Sequence, residues 1–306
     1  YRPILDKRHT PSNGKLISLW PCRTGVLIEG NHAYFGASML PWETSYLCAV
    51  DAKTGKPEGV GCFETRQREV TLQGALLASR DSLYVPQGRA APLVFEKASG
   101  KRRGSIPEAG GTYCLLTEED QLISGPHNQK AKDQVLRVAD GGKRSNLLTF
   151  QGTNRMLVSK QFAYLHQGES LTALDRIPYV ALQSEKRELL KKKEKVGKQL
   201  KSRKNDQGLK TQYAEIGAKV KEITAKLPGF FKWKIPCEHP IGFAMGGNTL
   251  YVGGDGIVMA FDASNGEKQW SAKITGKGYG LAISNGSLLV STDRGDIHCF
   301  NQQGSK

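Results

Sequence analysis

The feature that most constrains this fold is a motif that recurs about every forty residues. In its full copies, an apolar strand is followed by a turn containing Gly and Lys, and two further copies are truncated. The clearest copies are residues 47–56 and 259–268. Such self-similarity predicts an architecture built from one repeated supersecondary unit. The positions treated as equivalent are 51, 96, 138, 175, 262 and 301, and one interval is about double the others.

Short strands separated by polar turns precede each copy of the motif. Residues 25–28 form an apolar run, residues 29–31 a Glu-Gly-Asn turn, and residues 33–36 a second run. Runs of this kind are hairpin signals, and four such strands make an antiparallel blade. We predict an all-β propeller of about six blades, complete or part of a larger one. The last blade lacks a strand, which residues 15–20 would supply.

The doubled interval contains a segment with helical rather than strand periodicity. Leu209, Ile216 and Ile223 repeat every seven residues. Each is followed four residues later by another member of the same stripe, namely Tyr213, Val220 and Leu227. In the preceding stretch, Lys186 and Lys193 interrupt a similar stripe. A polar run at 203–208 separates the two, which predicts an antiparallel helical hairpin inserted into the fourth blade.

These elements set the predicted domain organisation. It consists of an N-terminal segment (1–20) that closes the last blade, blades one to four (21–178), the hairpin (179–228), and the rest of blade four with blades five and six (229–306).

The positive charge is concentrated in this hairpin. The formal net charge is +15, and residues 181–227 contain 14 Lys or Arg against 6 Asp or Glu. The hairpin therefore predicts a projecting arm that binds a protein partner or an anionic envelope surface. A solvated lysine-rich face with no partner is the alternative. Nucleic acid is disfavoured, because a single Tyr offers no platform for base stacking. The candidate partner-binding residues are Lys191, Lys192, Lys193, Lys195, Lys198, Lys201, Arg203 and Lys204.

Residues 49–56 and 260–270 resemble the repeat of pyrroloquinoline-quinone-like propeller proteins, in which a typical unit reads Tyr-Ala-Leu-Asp-Ala-x-Thr-Gly-x-x-x-Trp. The resemblance extends over residues 23–301 apart from the hairpin. It is strongest to uncharacterised bacterial members, which have stretches similar to residues 20–25 and 291–300. The family includes quinone-dependent alcohol and sugar dehydrogenases, together with non-catalytic members such as an outer-membrane-assembly lipoprotein.

The cofactor chemistry of the family dehydrogenases is not matched. They generally have eight blades and commonly stack the quinone against a vicinal disulfide, whereas none of the six cysteines here is adjacent to another. Neither the calcium-binding residues nor the catalytic Asp is matched. We therefore expect no cofactor and no catalytic residue, with pyrroloquinoline quinone and calcium as the alternative. The cysteines also form no C-x-x-C pair, which argues against a redox motif or a zinc site.

A ligand site is expected on one face of the propeller, where loops surround the central channel. Converging arginines and histidines could hold an anion through charge-assisted hydrogen bonds. Three histidines could alternatively bind a metal, and loop bracing is the simpler role for the arginines. Asp51, Asp175 and Asp262 are expected to shape turns. The candidate ligand-binding residues are Arg23, Gln73, Arg89, His127, His166, His239 and Tyr279.

The sequence thus predicts a non-catalytic, extracytoplasmic propeller that binds a protein or envelope ligand through its top face and its basic hairpin. A periplasmic location follows from the resemblance alone, and a cytosolic assembly scaffold remains possible. The alternative function is a quinone-dependent oxidoreductase domain.

Overall fold

The computed structural model describes residues 1–88, 90–126, 135–239 and 241–301. The chain divides into two compact units, Tyr1–Thr149 and Phe150–Lys306. Each unit is built on antiparallel sheets. No described helix is both long and apolar enough to cross a membrane.

The first unit contains three four-stranded sheets, each built from strands consecutive in the chain. A two-stranded sheet, β1–β2, precedes them. In this small sheet Lys15 pairs with Ser12, so residues 15–18 have a partner within the N-terminal segment. That the segment closes the last blade stays a prediction. The strands are β1 (His9–Ser12), β2 (Lys15–Ser18), β3 (Cys22–Glu29), β4 (His32–Ala37), β5 (Ser45–Asp51), β6 (Phe63–Gln67), β7 (Leu77–Ala78), β8 (Ser82–Gln87), β9 (Ala90–Glu96), β10 (Arg102–Ser105), β11 (Ala109–Leu116), β12 (Gln121–Pro126), β13 (Val135–Asp140) and β14 (Ser145–Gln151).

The second unit contains a four-stranded sheet, β15–β18, and a six-stranded sheet, β19–β24. In the latter, the long strand β22 pairs with β21 through its first part and with β23 through its second part. One continuous strand therefore serves two successive repeats. The strands are β15 (Thr153–Val158), β16 (Phe162–Gln167), β17 (Ser170–Asp175), β18 (Phe231–Pro236), β19 (Gly242–Gly246), β20 (Thr249–Gly253), β21 (Asp255–Asp262), β22 (Lys268–Ser284), β23 (Ser287–Thr292) and β24 (Ile297–Asn301).

The acidic motif residue closes the turn after the third strand of a repeat. The Oδ1 atom of Asp51 accepts hydrogen bonds from the Thr54 amide (2.7 Å) and hydroxyl (2.8 Å), which lowers the pKa of this carboxyl. Gly55 follows with φ of 69°, a conformation that glycine adopts without strain. In the third sheet the equivalent residue is Asp140, which accepts from the Lys143 amide at 2.8 Å. Our alignment on position 138 was wrong by two residues.

An aromatic side chain on the fourth strand of one repeat packs against the turn glycine of the next. Phe63 lies against Gly100 in the first unit, and Trp233 lies against Gly266 in the second. The Trp233 Nε1 atom also donates to the Ala263 carbonyl at 3.0 Å. A Cβ added at either glycine would come within 3.0 Å of the ring, so the turn must lack a side chain here.

The inserted helical hairpin is present between β17 and β18. It consists of α1 (Arg176–Ser202) and α2 (Gln207–Lys226), followed by the 3₁₀ turn Leu227–Phe230. Asp206 caps α2, because its Oδ1 accepts from the Leu209 amide at 3.0 Å. The two strands still pair, with Leu174 opposite Phe231, so the insertion does not interrupt the blade.

The seam between the two helices is only partly apolar. Val196, Ile216 and Ile223 are buried in it, as their periodicity predicts. Tyr213 instead lies at the edge of the seam and is 40% exposed. Lys193 occupies the position opposite, half-buried, with its ammonium 4.7 Å from the centre of the Tyr213 ring.

Candidate functional site

The base of the hairpin is fixed to the blade by a buried arginine. Arg176, the first residue of α1, donates from Nε to the Ser159 carbonyl (3.0 Å) and from Nη2 to the Lys160 carbonyl (2.8 Å). Tyr179 packs edge-on against Phe231, with ring centres 5.6 Å apart. Both contacts join α1 to neighbouring turns and strands of the blade. The arm is therefore anchored at its base.

The far end of the hairpin carries most of its charge. Residues 191–210 contain nine Lys or Arg and two acidic residues, Glu194 and Asp206. Glu194 pairs with Lys198 at 2.7 Å, and Asp206 is used as the helix cap. With a rise of 1.5 Å per residue, the 27 residues of α1 place this end about 40 Å from the base. The arm thus presents a basic tip well away from the blade.

The structure places all eight predicted basic residues on the outer half of the hairpin. Lys193 is half-buried against Tyr213, and the other seven are exposed. Lys191 and Lys198 form ion pairs within α1, to Glu188 and Glu194. Five form no ion pair with any described side chain, and these are Lys192, Lys195, Lys201, Arg203 and Lys204. Their charge is available to a partner.

In the first unit, the predicted ligand residues Arg23 and Gln73 come close through the backbone. The Gly74 amide donates to the Arg23 carbonyl at 3.2 Å. The Gln73 side chain braces a loop, since its Nε2 donates to the Gln87 carbonyl at 3.0 Å. The Arg23 side chain is exposed. Two further candidates, Arg89 and His127, lie outside the described residues.

In the second unit, His166 is buried and holds two segments together. Its Nε2 atom lies 2.8 Å from the Cys237 carbonyl and must be the donor, because a carbonyl only accepts. Burial lowers the pKa of His166, and the charges of His239 and Arg155 nearby act in the same direction. These effects favour the neutral form of the ring.

His239 and Tyr279 are more accessible than His166. The His239 ring packs against Gly254, where an added Cβ would come within 2.7 Å of it. The Gly254 carbonyl accepts from the Gly278 amide at 3.0 Å, which brings the neighbouring Tyr279, 57% exposed, to the same region. The described residues contain no group of three or more His, Cys, Asp or Glu suited to a metal ion.

The structure also reveals an exposed tryptophan on a well-braced loop of the first unit. Trp42 is 76% exposed. Beside it, Glu43 accepts two hydrogen bonds from the guanidinium of Arg8, at 3.0 and 3.1 Å. The Thr44 carbonyl accepts from Trp20 Nε1 at 2.7 Å. Our candidate list omitted Trp42, although a tryptophan beside a proline in a polar loop was a usable signal.

Comparison with known proteins identifies the fold. Residues 240–306 match the family model described as outer membrane protein assembly factor BamB. BamB from Moraxella catarrhalis has a similar structure, with a TM-score of 0.53 and 14% identity over 96% of this chain and 74% of that one. The computationally designed Ika8 protein gives a TM-score of 0.52 and 11% identity over 93% and 72%. A search of curated proteins finds no match.

These comparisons confirm the predicted fold: the chain has a β-propeller fold, and the match to a pyrroloquinoline-quinone-like repeat model covers residues 240–306. The number of blades stays a prediction. At 14% identity the likeness concerns the fold alone, because one fold serves many functions.

Proposed function

We propose that this chain, with its BamB-like repeats, is a non-catalytic periplasmic scaffold that binds a partner protein through its basic hairpin. Exposed residues of each unit, Arg23 in the first and Tyr279 in the second, provide additional contacts. The matched description, an outer membrane protein assembly factor, supports a role in assembling other proteins.

The observation that carries this proposal is the construction of the hairpin. The strands on either side of it pair as in an uninterrupted blade, so the blade does not need the insertion for its own hydrogen bonding. Arg176 nevertheless fixes the base of the hairpin, while the unpaired charge collects at the opposite end. An anchored arm with a charged tip is suited to steering and holding an oppositely charged partner.

Deleting the hairpin tests the proposal directly. We would replace residues 175–230 with Asn-Gly, which forms a tight turn between paired strands and restores a simple β-hairpin. Chemical crosslinking in envelope extracts should then lose the partners that the full chain captures. As a control for charge, Lys53→Glu with Lys56→Glu alters exposed lysines in the first unit and should leave the crosslinks intact. Identical crosslinks with and without the hairpin would contradict the proposal.

The location is tested separately by fractionating cells that express the tagged protein. We expect it in the periplasmic or membrane-associated fraction. Recovery with cytosolic markers would favour the cytosolic scaffold instead.

A further inference from the structure

A groove runs along the outer half of the hairpin, beside the seam between its two helices. It is a shallow, open groove with a volume of about 750 Å³. Most of its lining comes from one side of α1, and Tyr213 of α2 forms the opposite wall. The lining residues are Leu190, Lys193, Glu194, Gly197, Lys198, Leu200, Lys201, Lys204 and Tyr213.

Two glycines within the helices fix the shape of this groove. A Cβ added at Gly197 would lie 3.3 Å from the Tyr213 ring, and one added at Gly217 would lie 3.0 Å from the Lys193 ammonium. Glycine inside a helix is less favourable than alanine. Here the missing side chains leave room for Tyr213 and Lys193 to cross between the helices. The aromatic wall therefore lies close against α1 at Gly197.

The groove combines apolar surface with a positive rim. Leu190 is 45% exposed and Tyr213 is 40% exposed, so both present apolar surface to solvent. Lys201 and Lys204 are exposed at the rim and form no ion pair with any described side chain. The single acidic lining residue, Glu194, is already paired with Lys198. An occupant must therefore offer both apolar side chains and negative charge.

We propose that this groove binds an amphipathic helix with acidic flanks, supplied by the partner protein. Leu190 and Lys201 are eleven residues apart on α1, so the groove is about 17 Å long and accommodates about three helical turns. A helix laid along it would form a three-helix bundle with α1 and α2, with apolar side chains against Leu190 and Tyr213. Its Glu or Asp residues would face Lys201 and Lys204.

This inference rests on the proposed function, and peptide binding tests it. The probe is a fluorescein-labelled helical peptide with leucine at heptad positions a and d and glutamate on both flanks. A second peptide has the same leucines with lysine flanks. Binding to the full chain is followed by fluorescence anisotropy. We expect saturable binding of the glutamate peptide that weakens with salt, and none of the lysine peptide.

Two changes in the groove and one matched control decide the result. Lys201→Glu with Lys204→Glu should weaken binding of the glutamate peptide by about tenfold or more, because like charges then face each other. Gly197→Leu should fill the groove and also weaken binding, while circular dichroism shows that helicity is retained. Lys219→Glu with Lys221→Glu makes the same charge change on an exposed part of α2 away from the groove, and should change affinity by less than about twofold.

Several outcomes would overturn the groove proposal. The proposal fails if the glutamate peptide does not bind, if both peptides bind equally, or if the control variant loses as much affinity as the groove variant. A parallel binding experiment uses phosphatidylglycerol vesicles. If they bind with the same dependence on Lys201 and Lys204 while the peptide does not, lipid headgroups are the ligand instead. If the crosslinks require the hairpin but not the groove, the scaffold function stands and the groove proposal fails. If the peptide binds but the crosslinks do not require the hairpin, the groove proposal stands and the scaffold function fails.

Discussion

The blade β15–β18 and the hairpin that emerges from it differ in how their interiors are filled. In the blade, Tyr164 and Leu171 are buried among apolar neighbours, and Trp233 packs against the next repeat. In the hairpin, Lys193 and Gly217 stand at seam positions where apolar side chains would normally pack. The comparison indicates that the blade is stabilised by apolar packing. The hairpin has less apolar packing between its helices and presents a shaped, charged surface instead.

Removing Trp233 should have the largest effect, because it contributes both apolar packing and a hydrogen bond between repeats. We expect Trp233→Ala to lower the free energy of unfolding of the second unit by about 3–4 kcal/mol. Urea denaturation followed by circular dichroism measures this. Trp42→Ala, at an exposed site, serves as the control and should change stability by less than about 0.5 kcal/mol. Equal effects of the two substitutions would show that the contact between repeats is not important.

Shortening a buried seam residue should affect the hairpin alone. We expect Ile216→Ala to lower the local stability of α1 and α2 by about 2–3 kcal/mol, because it leaves a cavity between them. Hydrogen exchange of the helix amides should accelerate, while the amides of β16 and β17 remain protected. Leu190→Ala, at a half-exposed position, is the control. Faster exchange throughout the blade would contradict the separation of the two regions.

The blade should also respond to mild acid through His166. Its folded pKa is lowered by burial, so protons bind the unfolded state more readily than the native state. The stabilisation is complete above the unfolded pKa, about 6.5, and decreases as pH falls through the range below it. Denaturation between pH 7.5 and pH 5 should show this slope, and His166→Gln should flatten it. An unchanged slope in that variant would assign the effect to another group.

Restoring helix propensity in the seam should have a small effect of opposite sign. Gly217→Ala removes a glycine from α2 and should stabilise the hairpin by about 0.5–1 kcal/mol. The new Cβ also displaces the Lys193 ammonium from the Tyr213 ring. The thermal midpoint and hydrogen exchange of the helices measure the gain. A loss of stability would mean that the contact between Lys193 and Tyr213 outweighs helix propensity.

The smallest change in signal is expected when pyrroloquinoline quinone is added to the protein. A titration with and without calcium, followed by tryptophan fluorescence and quinone absorbance, should show no saturable binding. Micromolar binding that is lost in Arg23→Ala would instead revive the oxidoreductase alternative and locate its site.

The repeat was predictable because its signals are local. A carboxylate that bonds the amides of its own turn, as at Asp51, and a glycine with positive φ, as at Gly55, act within a few residues. The alignment failed at Val138 because two glycines follow Asp140, so the turn there did not match the pattern of the other copies.

The site was less predictable because its contacts join distant segments. His166 meets the Cys237 carbonyl 71 residues later in the chain, and no local pattern indicates that contact. The periodicity of α2 placed Tyr213 in the seam, but the glycine at 197 lets its ring cross to the edge and form one wall of a groove. Helical periodicity gives the direction of a side chain but not the space that its neighbours leave.

The long strand β22 has a consequence for how the number of repeats in such a chain can evolve. Propellers gain and lose repeats by duplication or deletion of whole units, and those events are tolerated best where a loop separates neighbours. Residues 268–284 pass from one repeat into the next with a bend at Gly276, where φ is 80°, and pair first with β21 and then with β23. An exchange at that boundary would cut a paired strand. The two C-terminal repeats should therefore be inherited together, as one block.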